Sequence, residues 1–279
     1  MKALVPDKRM DDFQKEVFGV IKSDSACYLP AKWVERNLGK KNMKPLRDVG
    51  DKVTVYISID PPSHGSSFMG ASAIVYTEKG QVYVVGTAEV GIKESEMIQL
   101  KHTVGRFVLR VLEQLVAPGR PYRNIEIVPI VECNNNEFQS NDIVTIITET
   151  ARAAGSTYIM PFTKDYFKKS ISEHIGVWTG VVEKLGGLQT IVALMQDKRI
   201  VVWDRCVTIG AVHLRRMQAP SLESALETLR TGLIEFKETP KGPSGKTASN
   251  NDDSAMAFIL NVYWSYCVRA TQVFSKDVW

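Results

Sequence analysis

Residues 52–72 read KVTVYISIDPPSHGSSFMGAS. Val53, Val55, Ile57 and Ile59 alternate with Thr54, Tyr56 and Ser58, the two-residue period of a strand with one face in a core. The run stops at a carboxylate, Asp60, followed by two prolines and a loop rich in Gly and Ser. A second apolar run over residues 71–76 then returns as in a hairpin. An acid that closes a central strand and faces an open loop is a common place to hold a metal ion. The plainer alternative is that Asp60 only opens the turn before Pro61.

Working outward, residues 81–86 read as a third strand after the turn Glu78-Lys79-Gly80, which makes an antiparallel meander. Over residues 94–117 the apolar side chains Met97, Ile98, Leu100, Val104, Phe107, Val108, Val111, Leu112 and Leu115 fall close to helical spacing, and Pro118-Gly119 stops the helix. Residues 125–131 (IEIVPIV) are a fourth strand that runs straight into Glu132. Ser140-Asn141-Asp142 offers caps for a helix over 143–154, with Gly155 at its end and a short fifth strand over 157–160. A helix between two strands reads as a parallel crossover. The order β-β-β-α-β-α-β is that of the ribonuclease H-like (RuvC/integrase-like) α/β fold. Its expected sheet has five mixed strands, three antiparallel and two parallel, flanked by helices.

The flanks carry less pattern. Residues 1–50 are charged and weakly periodic, with one short helix over 31–38, and read as a lead-in or linker to a domain over 51–279. A helix over 179–196, interrupted at Gly186-Gly187, precedes two apolar runs, 199–203 and 207–209. These read as an extra β-hairpin within a helical insertion. Ser221 caps an amphipathic helix to residue 236. A polar loop, KETPKGPSGKTASNN (237–251), leads to a last helix that begins near Asp252-Asp253 and carries Ala255, Met256, Phe258, Ile259, Val262 and Tyr263.

The 279 residues are 44% apolar and 24% charged, the make-up of an ordinary globular chain long enough for a large core. The net charge of +4 permits a polyanionic partner without requiring one. Cys27, Cys133, Cys206 and Cys267 are scattered without zinc spacing and read as free thiols in a reducing compartment. No apolar run reaches membrane length, and MKALVPDKRMDDF lacks a signal-peptide core, so the expectation is a cytoplasmic or nuclear protein without a membrane.

Asp60, Glu132 and the pair Asp252-Asp253 form a set. In a ribonuclease H-like sheet the first and fourth strands are parallel neighbours, so Asp60 and Glu132 emerge at one edge, and a helix crossing that edge can bring a third acid. Hard oxygen ligands suit Mg²⁺ or Mn²⁺ rather than zinc. Two such ions about 4 Å apart can activate a water and steady the leaving oxygen of a phosphodiester. Each acid also has a plain alternative, Glu132 as a solvated strand end and Asp252-Asp253 as favourable charge at a helix N-terminus. Gly242-Pro-Ser-Gly245-Lys246-Thr247 imitates a phosphate-binding loop but has two residues between its glycines where four are needed, so no ATP site is expected. His64, His102, His174 and His213 share no spacing. Lys164, Lys168, Lys169, Arg199, Arg205, Arg215 and Arg216 are candidates for sequence-independent contacts to DNA phosphates, although solvated surface is the better reading of any single one.

The segments ISIDPPS, IVECNNN and ASNNDDSAMAFIL, in this order and spacing, resemble the C-terminal nuclease domain of the DNA-packaging terminase large subunit of herpesviruses and tailed phages. The resemblance spans roughly residues 50–270. It implies that Asp60, Glu132, Asp252 and Asp253 are the catalytic and metal-binding residues of a two-metal endodeoxyribonuclease. Its cofactors would be two Mg²⁺ or Mn²⁺ ions, and its substrate concatemeric double-stranded viral DNA. It implies other terminase subunits and the portal as partners, the host cell nucleus as location, and a longer motor protein of which this chain is the nuclease piece. The first motif departs from the family, with Asp-Pro-Pro-Ser and Met69-Gly70-Ala71 where herpesvirus members more usually have Asp-Pro-Ala with Gly-Thr-Gly nearby. Two rival readings stand beside it: another ribonuclease H-like nuclease of the junction-resolving type, and a non-catalytic DNA-binding or assembly module.

Overall fold

The computed structural model describes residues 27–62, 68–93, 95–116, 119–134, 137–160, 176–210, 220–240, 242–246 and 251–276. Seven strands form one mixed sheet: β1 (Met43–Lys44), β2 (Val53–Asp60), β3 (Phe68–Tyr76), β4 (Val82–Gly91), β5 (Ile125–Val131), β6 (Thr157–Tyr158) and β7 (Ile200–Val207), in the spatial order β1-β7-β4-β3-β2-β5-β6. β2, β3 and β4 are the antiparallel meander, whereas β5 runs parallel to β2, β6 to β5, and β7 to both β4 and β1. Among the described residues six α-helices accompany them: α1 (Ala31–Leu38), α2 (Met97–Val116), α3 (Glu137–Ala154), α4 (Val181–Gln196), α5 (Leu222–Ile234) and α6 (Asp253–Lys276). The order β2-β3-β4-α2-β5-α3-β6 is the ribonuclease H-like order expected from the sequence, and the fold is of that class.

Residues directly opposite one another in a ladder point to the same face, so the register sorts the two faces of the sheet. Ile57, Ala73 and Gly86 lie in one row, and a Cβ built on Gly86 would stand 2.8 Å from Phe107 and 3.1 Å from Val111, so this face carries α2. Asp60, Gly70 and Glu89 lie in another row, and Gly70 backs onto Asp253, so the opposite face carries α6. Ile57 and Phe107 are fully buried. Truncating such an aromatic to Ala costs about 3–5 kcal/mol, because the cavity cannot fully collapse.

Helix α6 locks onto its face with a polar bolt. Asn261 Nδ2 donates to the carbonyls of Tyr56 and Ser72, each at 3.0 Å, in a fully buried setting. Further along, Ser265 Oγ meets the Tyr76 hydroxyl at 2.9 Å.

Three features differ from the sequence reading. The stretch expected as a hairpin is one strand, β7, buried except at Asp204 and Arg205. Its register against β4 jumps there, so the polar pair marks an irregularity in the ladder rather than a turn. With β1 it widens the expected five-stranded sheet to seven. Gly186 and Gly187 do not interrupt α4; they let it approach Tyr263 and Ile259 of α6, where a Cβ would stand 2.5 and 2.6 Å from those side chains. Residues 31–44 are also built into the fold: Arg230 of α5, itself buried among Glu35, Glu223 and Glu227, donates to the Leu38 carbonyl of α1. Among the described residues no helix is long and apolar enough to cross a membrane.

Candidate metal-binding acidic site

The edge where β2 and β5 end gathers the charge. Ile59 pairs with Val131, and the Glu132 N–H donates to the Ile59 carbonyl at 3.1 Å, so Asp60 and Glu132 leave neighbouring parallel strands at the same level. Ser140 Oγ, in the first turns of α3, donates to the Glu132 carbonyl at 2.5 Å and fixes the backbone of that strand end. Helix α6 starts on the same edge. A Cβ on Gly70, the cross-strand partner of Asp60, would lie 1.8 Å from the Asp253 carbonyl oxygen, so only glycine lets the helix come this close.

Burial sets the electrostatics. Asp60, Asp252 and Asp253 are buried, at 7%, 2% and 4% exposed. Burial, then the charge and hydrogen bond of Glu132, then the charge of Asp253, push the Asp60 carboxyl well above the carboxylate range, and Lys246 opposes them only in part. Burial also raises Asp253 to about 7; Lys246 works against that shift, while Glu89 and Asp252 add to it. Lys246 responds in kind. Burial alone would lower its ammonium, but Asp253, Asp252, Asp60 and Glu132 hold it above the ordinary lysine value. Its Nζ lies 3.7 Å from Asp253 Oδ1 and 3.9 Å from Asp252 Oδ1.

The two aspartates have different surroundings. Asp252 Oδ2 accepts from the Gly245 N–H at 2.8 Å and lies 3.5 Å from Ser244 Oγ, which ties down the loop that presents Lys246. Of the pair, Asp253 acts more strongly on the Asp60 carboxyl.

Two residues escaped the sequence reading. Glu89, one strand beyond Gly70 in the same row as Asp60, accepts from the Ser254 N–H at 3.0 Å and so caps the first turn of α6. Its signal was an acid inside an apolar strand, hidden because Gly86 read as the strand's end. Lys246 was passed over as part of the false phosphate loop; its neighbour Thr247 lies outside the described residues. So do His64, His174, His213, Lys164, Lys168, Lys169, Arg215 and Arg216. His102 sits in α2, which packs on the sheet face opposite α6, and Arg199 donates to the Lys79 carbonyl.

The donor set suits a divalent cation. It offers only hard oxygens, and Asp252 Oδ1 and Asp253 Oδ2 are buried without a hydrogen-bond partner. Among the described residues no three His, Cys, Asp or Glu side chains are gathered into a ready-made cage. The acids surround a lysine ammonium instead, which meets part of their charge.

No protein-family model matches the sequence, and no curated protein matches it. Solved structures do share the fold. The human cytomegalovirus terminase nuclease domain soaked with manganese has a TM-score of 0.60 at 14% identity, covering 85% of this chain and 94% of that one. The same domain soaked with manganese and bound to an inhibitor gives 0.59 at 15% identity with the same coverage. A further structure of it gives 0.53 at 16% identity, covering 93% and 94%. The chain therefore has the ribonuclease H-like fold of a terminase nuclease domain.

Proposed function

We propose that this chain is a metal-dependent endonuclease of the terminase type, cutting concatemeric double-stranded viral DNA during genome packaging. The observation that carries the reading is the convergence of Asp60, Glu132 and Asp253 at one sheet edge of a fold shared with a terminase nuclease domain. Asp60, Glu132, Asp252 and Asp253 would hold two Mg²⁺ or Mn²⁺ ions, with the second Asp252 oxygen tying down the loop beside them. The bound cations supply Lewis-acid activation of water and charge neutralisation at the departing oxygen. The chain's own residues do the rest. Glu89 fixes the start of α6 and with it the Asp253 carboxylate. Lys246 places a positive charge where a phosphodiester's negative charge would approach. On the same reading, DNA is held by backbone contacts, other terminase subunits and the portal are the partners, and the host nucleus is the place of action.

The test is incubation of supercoiled and linear plasmid with the chain in Mn²⁺, Mg²⁺ or EDTA. Cutting that needs metal and ignores sequence supports the proposal. A preference for branched substrates would turn it toward a junction-resolving nuclease. DNA binding without cutting in any metal would leave a binding or assembly module.

A further inference from the structure

A polar cavity opens at the other end of the sheet from the acids. It measures about 450 Å³, within the size range of small-molecule sites, and lies where β2 begins, β3 ends and α6 nears its last turns. Asp253 and Arg269 are both on α6, 16 residues apart, or about 24 Å along the helix, so this cavity is separate from the acidic site.

Its floor is aromatic. Tyr56 and Tyr76 meet edge to face with ring centroids 5.8 Å apart, and the Arg269 guanidinium lies over the Tyr76 ring at 4.2 Å. Stacking holds the guanidinium flat and leaves its N–H edge available. Among the described residues Arg269 forms no ion pair. Tyr56 is 2% exposed and lines the cavity, yet its hydroxyl makes no hydrogen bond among the described residues. Burial pushes this phenol up to about 12, so it stays protonated and can donate to an acceptor. The exposed rim carries Lys52, held at 2.8 Å by Glu126, together with Asp51 and Glu78.

We propose that this cavity binds a small ligand with a phosphate or carboxylate head, seated on the Arg269 guanidinium and the Tyr56 hydroxyl. The ligand's other end carries hydrogen-bond donors that meet Asp51 and Glu78. Of the two heads, a phosphomonoester has more acceptor oxygens to satisfy both donors at once.

The experiment is calorimetric titration of the whole chain, in EDTA so that the acidic site repels anions, with inorganic phosphate, adenosine monophosphate or acetate. The expected result is saturable binding of phosphate and tighter binding of the nucleotide. Arg269→Gln should weaken both at least about tenfold and Tyr56→Phe about three- to tenfold, the range of a lost hydrogen bond. Asp60→Asn should leave binding intact, which separates this test from that of the nuclease. Binding of acetate but not of phosphate would identify a carboxylate as the natural head. Absence of saturable binding by all three probes overturns the proposal, as does binding equal in the native chain and both variants. If Arg269→Gln loses its near-ultraviolet circular dichroism, Tyr56→Phe, which keeps the ring packing, carries the decision.

Discussion

Gly70 and Asp253 touch backbone to backbone: a Cβ added to Gly70 would stand 1.8 Å from the Asp253 carbonyl oxygen and 2.2 Å from its carbon. Neither wall is a flexible side chain, so Gly70→Ala must push the start of α6 away from the sheet. The expected cost is about 1–3 kcal/mol of stability. Metal-dependent cleavage should fall by about a hundredfold or more, because Asp253 moves relative to Asp60. Gly105→Ala in α2 is the control. Its Cβ would meet Ile146 and Thr150 at an ordinary 3.5 Å, and the helix should gain about 0.5–1 kcal/mol. Thermal unfolding and plasmid cleavage of both variants check the pair.

Glu89 separates two duties that one substitution would confuse. Glu89→Gln keeps an oxygen for the Ser254 N–H but removes a negative charge beside Asp253. It should leave stability within about 0.5 kcal/mol while lowering the Asp253 carboxyl. Glu89→Ala also uncaps the helix and should cost about 1 kcal/mol more. Chemical denaturation of the two variants reads the difference, and carboxyl titration by NMR reads the charge effect.

Stability of the metal-free chain should depend on pH in an unusual sense. Asp253 is raised to about 7 and Asp60 is raised as well, so the folded state favours their protonated forms. The contribution of Asp253 is fully present below about pH 4 and is lost as the pH climbs through about 7. In EDTA, the melting temperature should therefore fall between pH 5 and pH 8, and Asp253→Asn should flatten that slope. Added Mn²⁺ should restore more stability at pH 8 than at pH 5, since protons and cations compete for the same oxygens. An unchanged slope in Asp253→Asn would show that other groups set the dependence.

The strand periodicity made the sheet's centre legible: VTVYISID and IEIVPIV each end in an acid, and the ribonuclease H-like order then puts Asp60 beside Glu132. Their roles remain a proposal, but their adjacency follows from register. What the sequence hid has local physical causes. Gly86 looked like the end of β4, although its missing side chain serves Phe107 and Val111, and so Glu89 fell outside the strand. Asp204-Arg205 looked like a turn because both are polar and exposed, yet β7 passes through them with a shifted register. Lys246 sat in a glycine-rich segment whose likeness to a phosphate loop drew attention from its charge. No local pattern could report that Asp252 and Asp253 differ, because the difference lies in the long-range approach of Gly245 and Asp60.

On the proposed function, buried Asp60 anchors divalent cations for DNA cutting. The most direct measurement is Mn²⁺ binding, followed through the resonance of the free ion, together with plasmid cleavage at the same Mn²⁺ concentrations, in the native chain and Asp60→Asn. The native chain should take up Mn²⁺ and cut in proportion to occupancy. Asp60→Asn should remain folded, bind Mn²⁺ at least about tenfold more weakly and not cut. Equal Mn²⁺ uptake and equal cleavage by the two proteins would contradict this role, and Asp60 would then be no more than the start of a turn.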